Sequence, residues 1–162
     1  MKPFITRPRM SAQELMSHIK NTKIFDRVLS KVNILSVEKG SGLAEFIVEE
    51  EHTNSMGQLN TGFTVALTDF LTSFSFSSHE FGNNYHVSVD MNFSFYKPEA
   101  KLGDIIVVEA KTIKAGRSMG FAEVIMKNKN TGDLIMKGIH NMFVLNTQPK
   151  TDVPQDIHTD NK

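Results

Sequence analysis

From Phe63 to Phe81 the apolar positions recur at spacings of three and four, at Phe63, Leu67, Phe70 or Leu71, and Phe74. Val65, Ala66 and Phe76 add apolar groups on other faces. That period is helical, and a helix so apolar all round must be covered on most sides. After Gly82-Asn-Asn84 the period changes to two. Val87, Val89, Met91, Phe93 and Phe95 fall on one side of an expected strand over 87–95, and His86, Ser88, Asp90, Asn92 and Ser94 on the other. Three further strands are expected over 104–113, 118–127 and 134–145, joined by Ala115-Gly116 and Asn130-Thr-Gly132, both suited to hairpins. Upstream, Ser11-Ala-Gln-Glu14 has the form of a capping box opening a short helix with Leu15 and Ile19 inward. A helical turn over 23–29 follows, then a hairpin of strands 32–37 and 43–48 across Gly40-Ser-Gly42. Helix, two strands, apolar helix and four strands make an α+β chain, with one antiparallel sheet of about six strands curled around a long central helix. Residues 11–145 form the expected domain, residues 1–10 a flexible N-terminus, and the polar stretch 146–162 a disordered tail.

Composition narrows the chemistry. The chain has 162 residues, 40% of them hydrophobic, and no cysteine, so its core needs no disulfide and offers no thiol nucleophile. Basic and acidic residues balance at 18 each, which supplies no general field for nucleic acid or an anionic membrane. The balance is uneven along the chain: +5 over residues 1–39, −7 over 40–100 and +2 over 101–162. A polyanionic ligand would therefore meet its basic groups chiefly after residue 100. The apolar run 63–81 contains Asp69, Glu80 and many hydroxyls, which a bilayer-spanning helix tolerates poorly, so no stable membrane insertion is expected. The basic start, with Lys2, Arg7 and Arg9, leaves a cytoplasmic location expected, with mitochondria as the alternative.

The common signatures of nucleophilic, phosphate-cradling and metal-dependent sites are missing, and the six histidines are scattered, with structural or solvated roles expected for each. No metal is expected. Asp69 stands out as a carboxylate amid an apolar helix, where an unpaired charge is costly. It either points to a solvated edge or takes up hydroxyls such as Thr72 or Ser73, or it serves as a general base or nucleophile. Asn60, Thr61 and Gly62 precede the helix, whose free amides suit an anion or the oxyanion of acyl transfer, although capping alone explains Asn60 or Thr61. If Thr61 marks the oxyanion amide and Asp69 the base, eight residues of helix hold them roughly 12 Å apart. One copy cannot place both at one carbonyl, so their joint use requires two chains and a homodimer. Ser88, on the polar side of its strand, could orient a water. Lys114 and Arg117, with Lys101 and Lys111, cluster around one hairpin and could hold the phosphates of a nucleotide-bearing carrier.

These residues together resemble the hotdog-fold thioesterases of the phenylacetic-acid-degradation type over about residues 25–140. The resemblance is carried by Val48-Glu-Glu-Glu-His-Thr-Asn54, Gly57-Gln-Leu59, Val87-Ser-Val-Asp-Met-Asn92, Pro98 with Lys101-Leu-Gly103, and Lys114-Ala-Gly-Arg117. It implies a hotdog domain that hydrolyses fatty or aryl acyl-CoA thioesters in lipid metabolism, as a homodimer paired into a tetramer. No cofactor is implied, CoA being part of the substrate. By the same resemblance Asp69 is the base or nucleophile, Asn54 helps polarise the thioester carbonyl, Thr61 supplies the oxyanion amide, and Ser88 positions water. Phe95, Tyr96, Lys97 and Pro98, and Lys114, Gly116, Arg117 and Ser118, match its CoA-contacting segments. Where that family reads Leu-His-Gly-Gly, this chain reads Leu59-Asn60-Thr61-Gly62. The alternative to a hydrolase is therefore an acyl-CoA-binding or interaction protein on the same fold.

Overall fold

The computed structural model describes residues 9–82, 84–96 and 100–145. The expected flexible ends lie outside these residues except for Arg9, which donates to the His79 carbonyl at 3.2 Å, and Met10, which packs on the core.

The first helix, α1 (Ala12–Asn21), opens on the capping box. Ser11 Oγ accepts from the Glu14 amide, and the Glu14 carboxylate accepts from Ser11 N–H at 2.7 Å. These bonds occupy amides that the first turn cannot satisfy itself. Leu15 and Ile19 are buried beneath it. The helical turn expected over 23–29 is a short 3₁₀ helix, Phe25–Leu29. Strands β1 (Asn33–Glu38) and β2 (Ser41–Ile47) follow. Their turn is tighter than the glycine pair suggested: Lys39 and Gly40, both at positive φ, form it, and Gly42 lies within β2. Two successive positive φ values match the right-handed twist of a hairpin. A single 3₁₀ turn, Glu50–His52, leads into the central helix α2 (Thr61–Ser78). Strands β3 (His86–Phe95), β4 (Ile105–Ala115), β5 (Met119–Asn128) and β6 (Leu134–Val144) complete one antiparallel sheet in the order β1-β2-β4-β5-β6-β3.

Helix α2 lies on β2 and β4 and extends onto β5. Leu67 and Leu71 are fully buried against a sheet face that includes Ala44, Ile106, Val108 and Met126. Glycine permits the close approach: a Cβ on Gly42 would lie 2.3 Å from Ser75 Oγ, and one on Gly120 2.5 Å from the Phe76 ring. Among the described residues no helix is long and apolar enough to cross a membrane.

Strand β3 departs from the two faces expected of it. Ser88 pairs with Met142 and Asp90 with Asn141, so Val89 is an extra, unpaired residue. A one-residue bulge inverts a period-two pattern. Ser88 therefore shares the helix-facing side with Met91 and Phe93, instead of lying opposite them. As the sheet's edge, β3 leaves Val87, Val89 and Phe95 at 47%, 59% and 39% exposed.

Candidate active site

The bulge brings Ser88 to Asp69. Midway along α2, Asp69 has a half-exposed side chain, and its Oδ1 accepts from Ser88 Oγ at 3.1 Å. Thr72 and Ser73 do not bond this carboxylate, contrary to one sequence expectation, although they follow it by three and four residues on the same helix face; the Thr72 hydroxyl is committed to backbone and to His140 instead. Thr72 Oγ1 lies 2.6 Å from the Thr68 carbonyl oxygen and 2.7 Å from His140 Nδ1. The far ring nitrogen, Nε2, reaches Ser88 Oγ at 2.9 Å and Asp69 Oδ1 at 3.7 Å.

Proton positions follow from these distances. Two oxygens 2.6 Å apart need a hydrogen between them, so Thr72 donates to the Thr68 carbonyl and accepts from His140 Nδ1–H. Nε2 then presents its lone pair to Ser88, whose single hydroxyl proton has two acceptors, the imidazole and the carboxylate. His140 is completely buried. Burial holds its basicity below the ordinary histidine value, opposed by the negative charges of Asp69 and Asp90, so the ring rests neutral. A proton taken up by Asp69 can thus be passed through Ser88 toward Nε2. Sequence reading missed His140. The available signal was its phase on β6, where Gly138, His140, Met142 and Val144 are the buried alternate positions.

A second group of polar residues gathers at the N-terminus of α2. Asn60 caps the helix, its Oδ1 accepting from Gly62 N–H at 2.8 Å and Phe63 N–H at 3.3 Å. The cap takes these two amides and not that of Thr61, the exposed first residue of the helix. Asn54 is tied in the same way, its Oδ1 accepting from Met56 N–H at 2.9 Å and Gln58 N–H at 3.2 Å. In both side chains the carbonyl oxygen is committed to backbone, which leaves the NH₂ group as the outward donor. A short ladder joins the two asparagines: Thr53 bridges Leu59, Asn54 N–H donates to the Gln58 carbonyl, and Asn60 N–H to the His52 carbonyl. The corner opens into a groove of about 300 Å³ lined by Phe25, Val28, Asn60, Gly62, Phe63 and Ala66. A second groove of about 200 Å³ lies along the same helix by Asp69, Phe70 and Phe74.

Asn54, Asn60, Thr61 and Gly62 therefore meet at one corner, and Asp69 and Ser88 meet at another, about eight residues of helix away. The suggested CoA segments are also divided. Phe95 and Tyr96 end β3 opposite Met136, whereas Lys114, Gly116, Arg117 and Ser118 lie at the β4–β5 turn, at the end of the sheet where β3 starts but with β6 between. Lys97 and Pro98 lie outside the described residues. Lys111 is on β4 near that turn, but Lys101 is not part of the cluster expected: it bridges Gln58 at the far end of β4, an eleven-residue extended strand away. Among the described residues no group of three His, Asp or Glu side chains could hold a metal ion.

The Thioesterase superfamily pattern matches residues 56–135. Acyl-coenzyme A thioesterase 13 of Homo sapiens is 38% identical over 84% of this chain and 96% of its own length. The crystal structure of zebra fish thioesterase superfamily member 2 superposes with a TM-score of 0.78 and 36% identity, over 84% of this chain and 99% of that one. A hypothetical thioesterase from Streptococcus pneumoniae, solved with coenzyme A, is 19% identical with a TM-score of 0.66 over 73% of this chain and 88% of its own, and shares the fold. The six-stranded antiparallel sheet, its central helix and this extent of identity make the chain a hotdog-fold member of the thioesterase superfamily.

Proposed function

We propose that the protein is an acyl-CoA thioesterase that works as a homodimer, paired further into a tetramer, with each active site built from two subunits. The observation that carries this reading is the division of one helix into two half-sites: carbonyl donors at its N-terminus, and a carboxylate backed by a serine and a neutral histidine at its middle. The thioester oxygen sits at the Thr61 amide with the NH₂ groups of Asn54 and Asn60. Asp69 of the partner subunit takes a proton from a water aligned by that subunit's Ser88. The water oxygen bonds to the carbonyl carbon, and the donors hold the resulting oxyanion. Collapse breaks the carbon–sulfur bond, the CoA sulfur receives the proton held by Asp69, and the fatty or aryl acid leaves. The Ser88–His140 chain behind Asp69 supports its action as a general base.

The exposed edge β3 suits the dimer. Antiparallel pairing of two β3 strands about a two-fold axis sets the Phe95 end of one beside the Ser88 end of the other. The partner's Phe95 and Tyr96 then lie at the same end of the joined sheet as the Lys114–Ser118 turn, about three strand spacings away, a span that an extended CoA can cross. The reading needs no cofactor beyond the CoA of the substrate, and it fits the cytoplasm, with mitochondria as the alternative. The experiment is release of CoA thiol from short, medium and long acyl-CoAs and arylacetyl-CoAs by the protein and by Asp69→Ala, with size measured for both. Turnover lost in Asp69→Ala at unchanged size supports the reading. Near-zero release by both, with acyl-CoA still bound, favours the non-catalytic binding protein.

A further inference from the structure

His52 is 1% exposed, although it closes the acidic turn Glu50–His52, whose Glu50 and Glu51 are exposed. Its ring sits edge-on to Phe46 of β2, with centroids 5.5 Å apart, and against Phe63 in the first turn of α2 at 4.5 Å. Its carbonyl oxygen receives the Asn60 amide at 2.8 Å, and the residues that follow carry Asn54. Its Nδ1 is 3.1 Å from Glu49 N and 3.2 Å from the Ile47 carbonyl oxygen, while its Nε2 has no hydrogen-bond partner among the described residues. An unpartnered buried ring nitrogen costs free energy and calls for an explanation.

The two contacts at Nδ1 exclude one another. A ring whose one proton is on Nε2 accepts from Glu49 N–H, as the cap geometry has it; a proton on Nδ1, which the charged ring always carries, makes Nδ1 a donor suited to the Ile47 carbonyl and opposed to the Glu49 amide. The β2 and α2 neighbours of the ring, Phe46 and Phe63, carry no charge. The charged groups near it are Glu49 and Glu51, both ion-paired to Lys31 from the segment before β1. We propose that His52 is a positioning residue: its neutral imidazole seats the loop that aims Asn54 and Asn60 at the thioester carbonyl, and protonation of the ring unseats that loop. The proposal rests on the hydrolase reading for its effect on turnover, but not for its effect on the two asparagines.

Two measurements test it. The first follows the NMR signals of the Asn54 and Asn60 side-chain amides and the His52 ring against pH in the wild-type protein, which needs neither a variant nor turnover. The asparagine signals are expected to shift with the His52 midpoint, and to be pH-independent in His52→Phe, which keeps an aromatic ring in the slot. The second compares kcat and KM across pH. His52→Phe is expected to lose about 100-fold in kcat with little change in KM, as for a misplaced carbonyl contact. His52→Asn, whose Oδ1 restores an acceptor near the Nδ1 position, is expected to recover part of it. Asparagine signals that ignore the His52 titration overturn the proposal, as does wild-type kcat with an unchanged acid limb in a folded His52→Phe. If the wild-type protein hydrolyses no acyl-CoA, the hydrolase reading fails, and the NMR titration alone decides the role of His52.

Discussion

Mixing two inactive variants should restore activity if each site draws on two subunits. Thr61 and Asp69 are separated by eight residues of α2, about 12 Å at the helical rise. A carbonyl polarised at about 3 Å by one group and attacked by a water about 3 Å from another spans about 7–8 Å with the C=O bond and the water–carbon gap included, still short of that distance. One variant is Asp69→Ala; the other carries Asn54→Ala and Asn60→Ala. When the subunits are unfolded together and refolded at equal amounts, about half of the dimers are mixed, and each of these has one intact site and one doubly damaged site. The expected thiol release is therefore about one quarter of the wild-type rate, against parents reduced by about 100-fold or more. Different affinity tags on the two subunits show that mixed dimers have formed. A mixture no more active than its parents, with mixed dimers present, refutes the two-subunit site and with it the division of labour along α2.

Three further outcomes follow from the same contacts. Ser88→Ala cuts the link from Asp69 to His140, and should lower kcat by about 100-fold while leaving acyl-CoA affinity within a few-fold, measured by thiol release and by binding to the Asp69→Ala background; retention of wild-type kcat would remove Ser88 from the proton path. Burial holds both His140 and His52 below the ordinary histidine value of 6.5, so folding favours their neutral forms. Their contribution to stability is complete above that value and is lost as pH falls through the lowered folded values, so thermal midpoints should drop on acidification below about pH 6.5 and be flat above it; a midpoint unchanged down to pH 5 contradicts this. Gly42→Ala places a Cβ 2.3 Å from Ser75 Oγ and 3.0 Å from Leu71, and should destabilise the fold by about 1–3 kcal/mol in denaturant unfolding, because α2 must lift from β2.

Much of this architecture was legible because its elements carry strong periods. The all-round apolarity of α2, the capping box at Ser11 and the two later hairpins each reflect a local rule that the packed structure keeps. β3 was legible as a strand but not in its faces, since the residue that breaks its phase, Val89, looks like any other member of an alternating run. A bulge is set by pairing with β6, which lies some fifty residues later. The site divided along the same line. Asp69 and Asn60 were conspicuous, one as a charge in an apolar helix and the other as a cap. His140 was hidden because its role depends on Thr72, Ser88 and Asp69 arriving from two other elements, and a lone histidine on a strand does not announce them. Lys101 failed for a related reason: nearness in sequence to the basic hairpin was undone by the length of β4.

Asn60 bears most directly on whether this chain is a hydrolase or a binder. A titratable histidine at that position would offer a proton; asparagine offers none. Yet asparagine is among the best helix caps, and its oxygen is used here for that purpose on Gly62 and Phe63. The cap fixes the orientation of the side chain, so the NH₂ group is held as a donor at the mouth of the groove without a change of charge. Thr61, whose amide the cap does not take, keeps the donor that an oxyanion requires. On the proposed reading, the asparagine and threonine at 60 and 61 therefore offer hydrogen bonds but no proton chemistry to the carbonyl. The remaining proton chemistry is concentrated in Asp69, Ser88 and His140. On the hydrolase reading, the buried neutral histidine linked through serine to a half-exposed carboxylate fixes Ser88 where it can align a water beside Asp69, a role that binding alone does not call for.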